Sequence, residues 1–210
     1  MWGMVLDGTP KNPHIGVYML TVHDTLVARC VRCDACRLRL SRRNAAVYRG
    51  SIPSRLMIVG EAPGEKEDDQ GRPFVGPAGQ LLNRLLEQAE IPLEAPYLTN
   101  TVKCRPPQNR EPEVCEITSC RPFLQEQMAI VRPRRIVTLG KVATSVVTGA
   151  RGAMSALLTL DWACAWAEEI PVIPVYHPAY LLRRLDDPAV GVDMQDTVAR
   201  LKRAWKEAQG

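Results

Sequence analysis

Four short apolar runs punctuate this chain: RLMIVG at 55–60, YLTNTVK at 97–103, RRIVTLG at 134–140 and IPVIPVYHP at 170–178. They are short, rich in Val, Ile, Leu and Thr, and bounded by Pro, Gly or Asn, which is the pattern of strands buried on both faces. Between them the period changes to that of helices. PAGQLLNRLLEQAEI (77–91) opens on a proline suited to a first helical turn and sets Leu81, Leu82, Leu85, Leu86 and Ala89 on one face. A helix beginning near Pro112 occupies 111–133, a short one closed by Gly149 occupies 141–149, and DTVARLKRAWKEAQ (196–209) is amphipathic. Parallel strands need crossovers long enough to hold a helix, so this alternation predicts a mostly parallel sheet flanked by helices. The expected fold class is α/β, a three-layer αβα arrangement around a mostly parallel four-stranded sheet.

The remaining segments are less regular. Residues 1–24 read as an N-terminal extension with a short strand at GVYML, 25–36 as a short helix ending at the first cysteines, and 150–170 as loops with one or two minor strands. Residues 25–210 are expected to form a single domain. Hydrophobic residues make up 46% of the 210, enough for one core and against global disorder. The balance of 27 Lys and Arg against 23 Asp and Glu is mildly basic, compatible with a polyanionic partner without identifying one. No apolar run nears the roughly 20 residues that span a bilayer, and the N-terminus lacks the basic-then-apolar pattern of a secretory signal. The expectation is a cytosolic protein, in whose reducing surroundings the seven cysteines bind metal or stay free.

In such sheets ligands bind beyond the carboxyl ends of the strands, here the loops after residues 60, 100 and 176. The first, VGEAPGEKEDDQGRPFVG (59–76), combines five acidic residues and four glycines with one aromatic ring, Phe74. Asn100 ends the second strand run, and His177 follows the last. The cysteines form a second constellation. CVRCDACRLRL holds Cys30, Cys33 and Cys36, with Cys104, Cys115 and Cys120 far downstream. One C-x2-C pair plus two distant cysteines suits a four-thiolate site, iron–sulfur or zinc, and spacing leaves Cys30/Cys33 and Cys33/Cys36 both open.

In order and spacing, VGEAPGEKEDDQGRPFVGPAGQLLNRLL, YLTNTVKCRPPQNREP, CRPFL, IVTLG and YHPAYLLR resemble the family 4 uracil-DNA glycosylases, the iron–sulfur branch of their superfamily. The resemblance runs from about Cys33 to Arg183 and implies the uracil-DNA glycosylase fold. It also implies a monofunctional enzyme that flips uracil out of DNA and hydrolyses its N-glycosidic bond, leaving an abasic site for base excision repair. A structural [4Fe–4S] cluster on Cys33, Cys36, Cys104 and Cys120 follows from it, with Cys30, Cys115 and Cys164 as bystanders. Phe74 is then the ring that stacks on the flipped base. Asn100 reads uracil N3–H and O4, and His177 donates to O2 of the departing anion. Glu61 positions water or stabilises charge on the sugar, because Ala62 stands where other branches have an aspartate. Glu67 lines the pocket near uracil C5, and Asp68 and Asp69 are solvated. Leu181 wedges into the gap left by the base, and Arg183 and Arg184 contact phosphates. The implied partner is uracil-containing DNA, single- or double-stranded, bound by a monomer. A branch that captures uracil covalently uses a histidine in an inserted loop, and KCRPPQNREP has neither. A DNA-binding module without catalysis is the alternative from another class.

Overall fold

The computed structural model describes residues 13–210; residues 1–12, half of the expected extension, lie outside the described residues. The chain begins with α1 (Pro13–Val31) and a 3-10 turn at Arg37–Leu40, then enters β1 (Leu56–Gly60), α2 (Glu65–Gln70) and α3 (Pro77–Gln88). It continues through β2 (Tyr97–Asn100), a 3-10 turn at Pro107–Asn109, α4 (Val114–Val131), β3 (Arg135–Leu139), α5 (Gly140–Thr148) and α6 (Met154–Leu157). A hairpin of β4 (Trp162–Cys164) and β5 (Ala167–Val175) leads to α7 (Pro178–Leu182) and α8 (Val190–Gln209). Among the described residues no helix is long and apolar enough to cross a membrane.

The sheet runs β2-β1-β3-β5-β4, with β4 antiparallel to β5 and every other pairing parallel. It has five strands where four were expected. The fifth, β4, lies within 150–170, where one or two minor strands were expected; it is three residues long and pairs across a register shift at Ala163/Cys164. The strand expected at GVYML is also absent. Those residues fall within α1, since five apolar residues cannot separate strand from buried helix by periodicity. Leu26 and Cys30, one turn apart on α1, share a cluster with Phe123 of α4, and Arg29 pairs with Glu126 at 2.7 Å.

Alternating side chains of each central strand go to opposite faces. Leu56, Ile58, Val137, Leu139, Ile173 and Val175 meet Leu82, Leu85, Leu86 and Leu201 of α3 and α8 on one side. Met57, Val59, Ile136 and Val172 meet Leu124, Met128, Ala143 and Val147 of α4 and α5 on the other. Each fully buried side chain of this kind contributes about 1.5–3 kcal/mol relative to exposure. These two faces are what fix the strand ends at which the loops converge.

Candidate active site at the carboxyl end of the sheet

The chain leaves β1 toward β2 on one side and returns to β3 on the other, so the sheet's order reverses beside the carboxyl end of β1. A cleft of about 750 Å³ opens there, lined by Glu61, Glu67, Phe74, Asn100, His177 and Arg183 among others. A groove of about 830 Å³ lies at the amino end of β3, among Arg132, Arg134, Arg135 and Trp166, and holds none of the residues expected to act on a base.

Register places Gly60 opposite Asn100. A Cβ on Gly60 would stand 2.4 Å from Asn100 Oδ1 and 2.6 Å from Phe74 Cζ, so only glycine lets amide and ring converge on this strand end. The loops after β1 and β2 are tied together, Thr101 N donating to Gly60 O at 2.9 Å and Thr101 Oγ1 to Glu61 O at 2.6 Å. Asn100 is buried, and its Oδ1 is without a hydrogen-bond partner among the described residues.

Phe74 is 6% exposed, packed against the α3 face yet part of the cleft wall. Its φ of 58° is a conformation that a bulky residue rarely adopts. Glu67 holds it there. One carboxylate oxygen accepts from Val75 N at 2.8 Å and Gly76 N at 2.7 Å, the other from Gly64 N at 3.1 Å at the start of α2. Asp68, expected to be solvated, is buried instead, because its carboxylate accepts from Arg43 N at 2.9 Å and Asn44 N at 3.3 Å.

His177 caps α7, its Nδ1 accepting from Ala179 N at 3.1 Å. An accepting Nδ1 assigns the proton of the neutral ring to Nε2. Burial pushes the imidazole down to about 4, with Arg183 adding to the shift. Burial pushes the Glu61 carboxyl the other way, up to about 7; Glu111 across the cleft adds to it and Arg183 opposes it.

Two residues expected to contact DNA do not line the cleft in this structure. Leu181 is fully buried in the core between α3 and α8. A five-residue helix is not stable alone; α7 is anchored by turning Pro178 and Leu181 inward, and that register leaves Ala179, Leu182 and Arg183 on the cleft. Arg184 is occupied: it pairs with Asp187 at 2.5 Å and Asp193 at 2.6 Å and donates to Tyr180 Oη at 2.6 Å. Of the cations lining the cleft, Arg183 and Lys66 are exposed, and Arg110 is paired with Glu116 at 2.6 Å.

A sequence profile of the uracil DNA glycosylase superfamily matches residues 47–209. The type-4 uracil-DNA glycosylase of Thermotoga maritima is 41% identical over 168 residues, 80% of this chain and 87% of its own. That of Sulfurisphaera tokodaii is 42% identical over 158 residues, 72% of each. The chain belongs to the type-4 uracil-DNA glycosylases. A type-5 uracil-DNA glycosylase from Pyrobaculum aerophilum is more distant, at 29% identity over 190 residues, 76% of this chain and 83% of its own.

In this type-4 family member the cysteines meet on the far side of β2 from the α3 core. Cys33, Cys36, Cys104 and Cys120 line one cavity, and Cys30, set aside as a bystander, lines it too. Cys115 is exposed and Cys164 is buried beside Met128, apart from the others. Arg42 Nη1 donates to Cys104 Sγ at 2.9 Å, and its Nη2 bonds Val31 O at 2.6 Å and Cys33 O at 3.0 Å. Among the described residues no three His, Cys, Asp or Glu side chains are placed to hold a metal ion as they stand. Sequence reasoning missed two partners of this cavity, Arg42 and Lys103. Lys103 had a visible signal, a lysine directly before a ligand candidate at the end of an otherwise uncharged run. Glu111, another cleft residue it missed, sits in a loop with no period to read.

Proposed function

We propose that this type-4 family member is a uracil-DNA glycosylase that takes uracil out of the DNA stack and hydrolyses its N-glycosidic bond, leaving an abasic site for base excision repair. The observation that carries the reading is the buried, unpartnered Oδ1 of Asn100 beside the edge of Phe74. A buried carbonyl oxygen without a donor costs about 1–3 kcal/mol, and uracil N3–H supplies the missing donor. The amide's N–H then meets O4. Cytosine offers an acceptor and a donor at those two positions, the reverse of what the amide needs.

Phe74, held at its unusual φ by the Glu67 staple, stacks on the base, and Glu67, in the same cleft wall, is the group that discriminates against a methyl at C5. As the bond to C1′ lengthens, electrons move onto the base, and the Nε2–H of neutral His177 stabilises the charge gathering on O2. Glu61, ionised, orients water toward C1′ and opposes the positive charge on the sugar. Arg183 and Lys66 contact phosphates at the rim, and Leu182 takes the wedge position expected for Leu181.

The donor set of the cysteine cavity fits an iron–sulfur cluster: thiols in an apolar wall, faced by the guanidinium of Arg42 and the ammonium of Lys103. Cys33, Cys36, Cys104 and Cys120 would hold a [4Fe–4S] cluster. When bound, the cluster supplies a thiolate cross-link between the chain after α1, the loop after β2 and helix α4.

The test is release of free uracil from an oligonucleotide with one uracil, by anaerobically purified protein, beside the same strand carrying thymine or cytosine. Release from the uracil strand alone is expected. DNA binding without release would favour the non-catalytic module. The pH dependence has a defined sign. Because Glu61 acts as the carboxylate and titrates near 7, the single-turnover rate should rise about tenfold per pH unit below 7 and level off above. Glu61→Gln should remove that rise and lower the plateau by about 10²-fold. A rate that falls between pH 6 and 8 would contradict the assignment.

A further inference from the structure

Lys103 is 1% exposed, an ammonium placed inside the protein. It lines the cysteine cavity with Cys30, Cys104 and Cys120, not the cleft. Its Nζ donates to the backbone carbonyl of Asn100 at 2.5 Å and to Thr99 Oγ1 at 2.8 Å. Thr99 is the near end of a buried polar chain. Its hydroxyl bonds Val47 O at 2.8 Å with Gln127 Oε1 at 3.2 Å; Gln127 Nε2 donates to Tyr97 Oη at 2.8 Å, and Tyr97 Oη meets His23 Nε2 at 2.8 Å. The chain runs from α1 across β2 to the residue whose side chain faces the cleft.

We infer that Lys103 is a positioning residue that couples the thiol-lined cavity to base reading, its ammonium serving as countercharge to the cysteine-held group while it clamps the backbone of Asn100. This rests on the reading of the cysteine cavity given above. An ammonium withdrawn from water is retained only where negative charge and acceptors repay its lost hydration. Backbone and hydroxyl oxygens satisfy its donors on one side, and thiolates supply the opposing charge on the other. Because the same head group serves both, a change in the cavity reaches the Asn100 carbonyl through one side chain. A charge-assisted bond to that carbonyl fixes the end of β2 more firmly than the neutral bonds around it.

Lys103→Met keeps the length of the side chain and removes both donor and charge. Three quantities in the purified variant and wild type decide the matter: iron per chain, the midpoint potential of the iron that is retained, and the inhibition constant of free uracil. The expected result is weaker uracil inhibition by about tenfold or more, a lower midpoint potential as a buried positive charge is lost, and reduced iron retention. Affinity for uracil-free DNA of equal length should stay within about twofold, since rim contacts are untouched. A residue that served packing alone would lower the melting temperature without moving the potential or separating uracil from DNA affinity. Should the Met variant fail to fold, Thr99→Val deletes one of the two acceptors and is expected to weaken uracil inhibition by several-fold with iron retained. Wild-type uracil inhibition and potential in either folded variant would overturn the coupling. Wild-type protein that contains no iron would overturn the cavity reading itself, a different result seen before any variant is made.

Discussion

Asn100→Ala should lower single-turnover uracil release by about 10³–10⁵-fold while the folded protein loses no stability. The two halves of this expectation come from the same atom. In the free protein Asn100 Oδ1 is buried and unpartnered, so it contributes nothing to folding and carries a desolvation cost. Truncating it relieves that cost. In the complex the amide makes two hydrogen bonds to the base in a site closed to water, and the one to O4 strengthens as charge develops, so its loss falls on the transition state. Single-turnover rates on a uracil oligonucleotide, with thermal melting of the same preparations, check both. A variant that is destabilised and only mildly slowed would mean that Asn100 is a structural amide. Asn100→Asp sharpens the test, because a carboxylate facing O4 repels it: the rate should fall at least as far as with alanine.

The layers of the fold were legible because burial on both faces leaves a simple trace: the four runs at 55–60, 97–103, 134–140 and 170–178 each contain a core strand. What escaped was held by tertiary context. Nothing local distinguishes GVYML in a helix from GVYML in a strand, and the bounds of β4, a minor strand expected somewhere within 150–170, depend on the edge that β5 offers it. Helix α2 lies inside the charged loop, where acidic residues in a first turn suit the helix N-terminus and the Glu67 carboxylate satisfies Gly64 N.

The site was legible to the level of the motif and no finer. Phe74, Asn100, His177 and Glu61 do converge on one cleft. Which leucine of the 178–182 turn faces outward, and which of two adjacent arginines is free, depends on the register of α7 and on Asp187 and Asp193 beyond it, none of which the motif encodes. The same limit hid Lys103, whose importance lies in where Nζ points rather than in its neighbours along the chain.

His177→Ala should slow release by about 10²–10³-fold, by a similar factor at every pH from 6 to 9. The flatness follows from the ring's protonation state. With the imidazole pushed down to about 4, it is neutral across that range, and Nε2–H remains a donor throughout. A cationic donor would lose activity as the pH rose through its own titration, so a variant-to-wild-type ratio that rises toward one above pH 7 would sink the neutral assignment. Stability gives an independent sign. A histidine whose folded pKa lies below its unfolded value of about 6.5 binds fewer protons folded than unfolded between those values. The wild type therefore loses stability to this group as the pH falls from about 6.5 toward 4, and His177→Ala does not. Relative to wild type, the variant should gain on the order of 2–3 kcal/mol over that interval. Glu61 works in the opposite sense and is present in both proteins: with its carboxyl raised to about 7, it takes stability away as the pH rises from about 4.5 to 7. Denaturant melts of the two proteins at pH 4.5, 5.5 and 6.5 separate the groups, because the Glu61 contribution cancels in the difference. An active-site pair that costs stability from both directions is what a cleft selected for catalysis, rather than for folding, should contain.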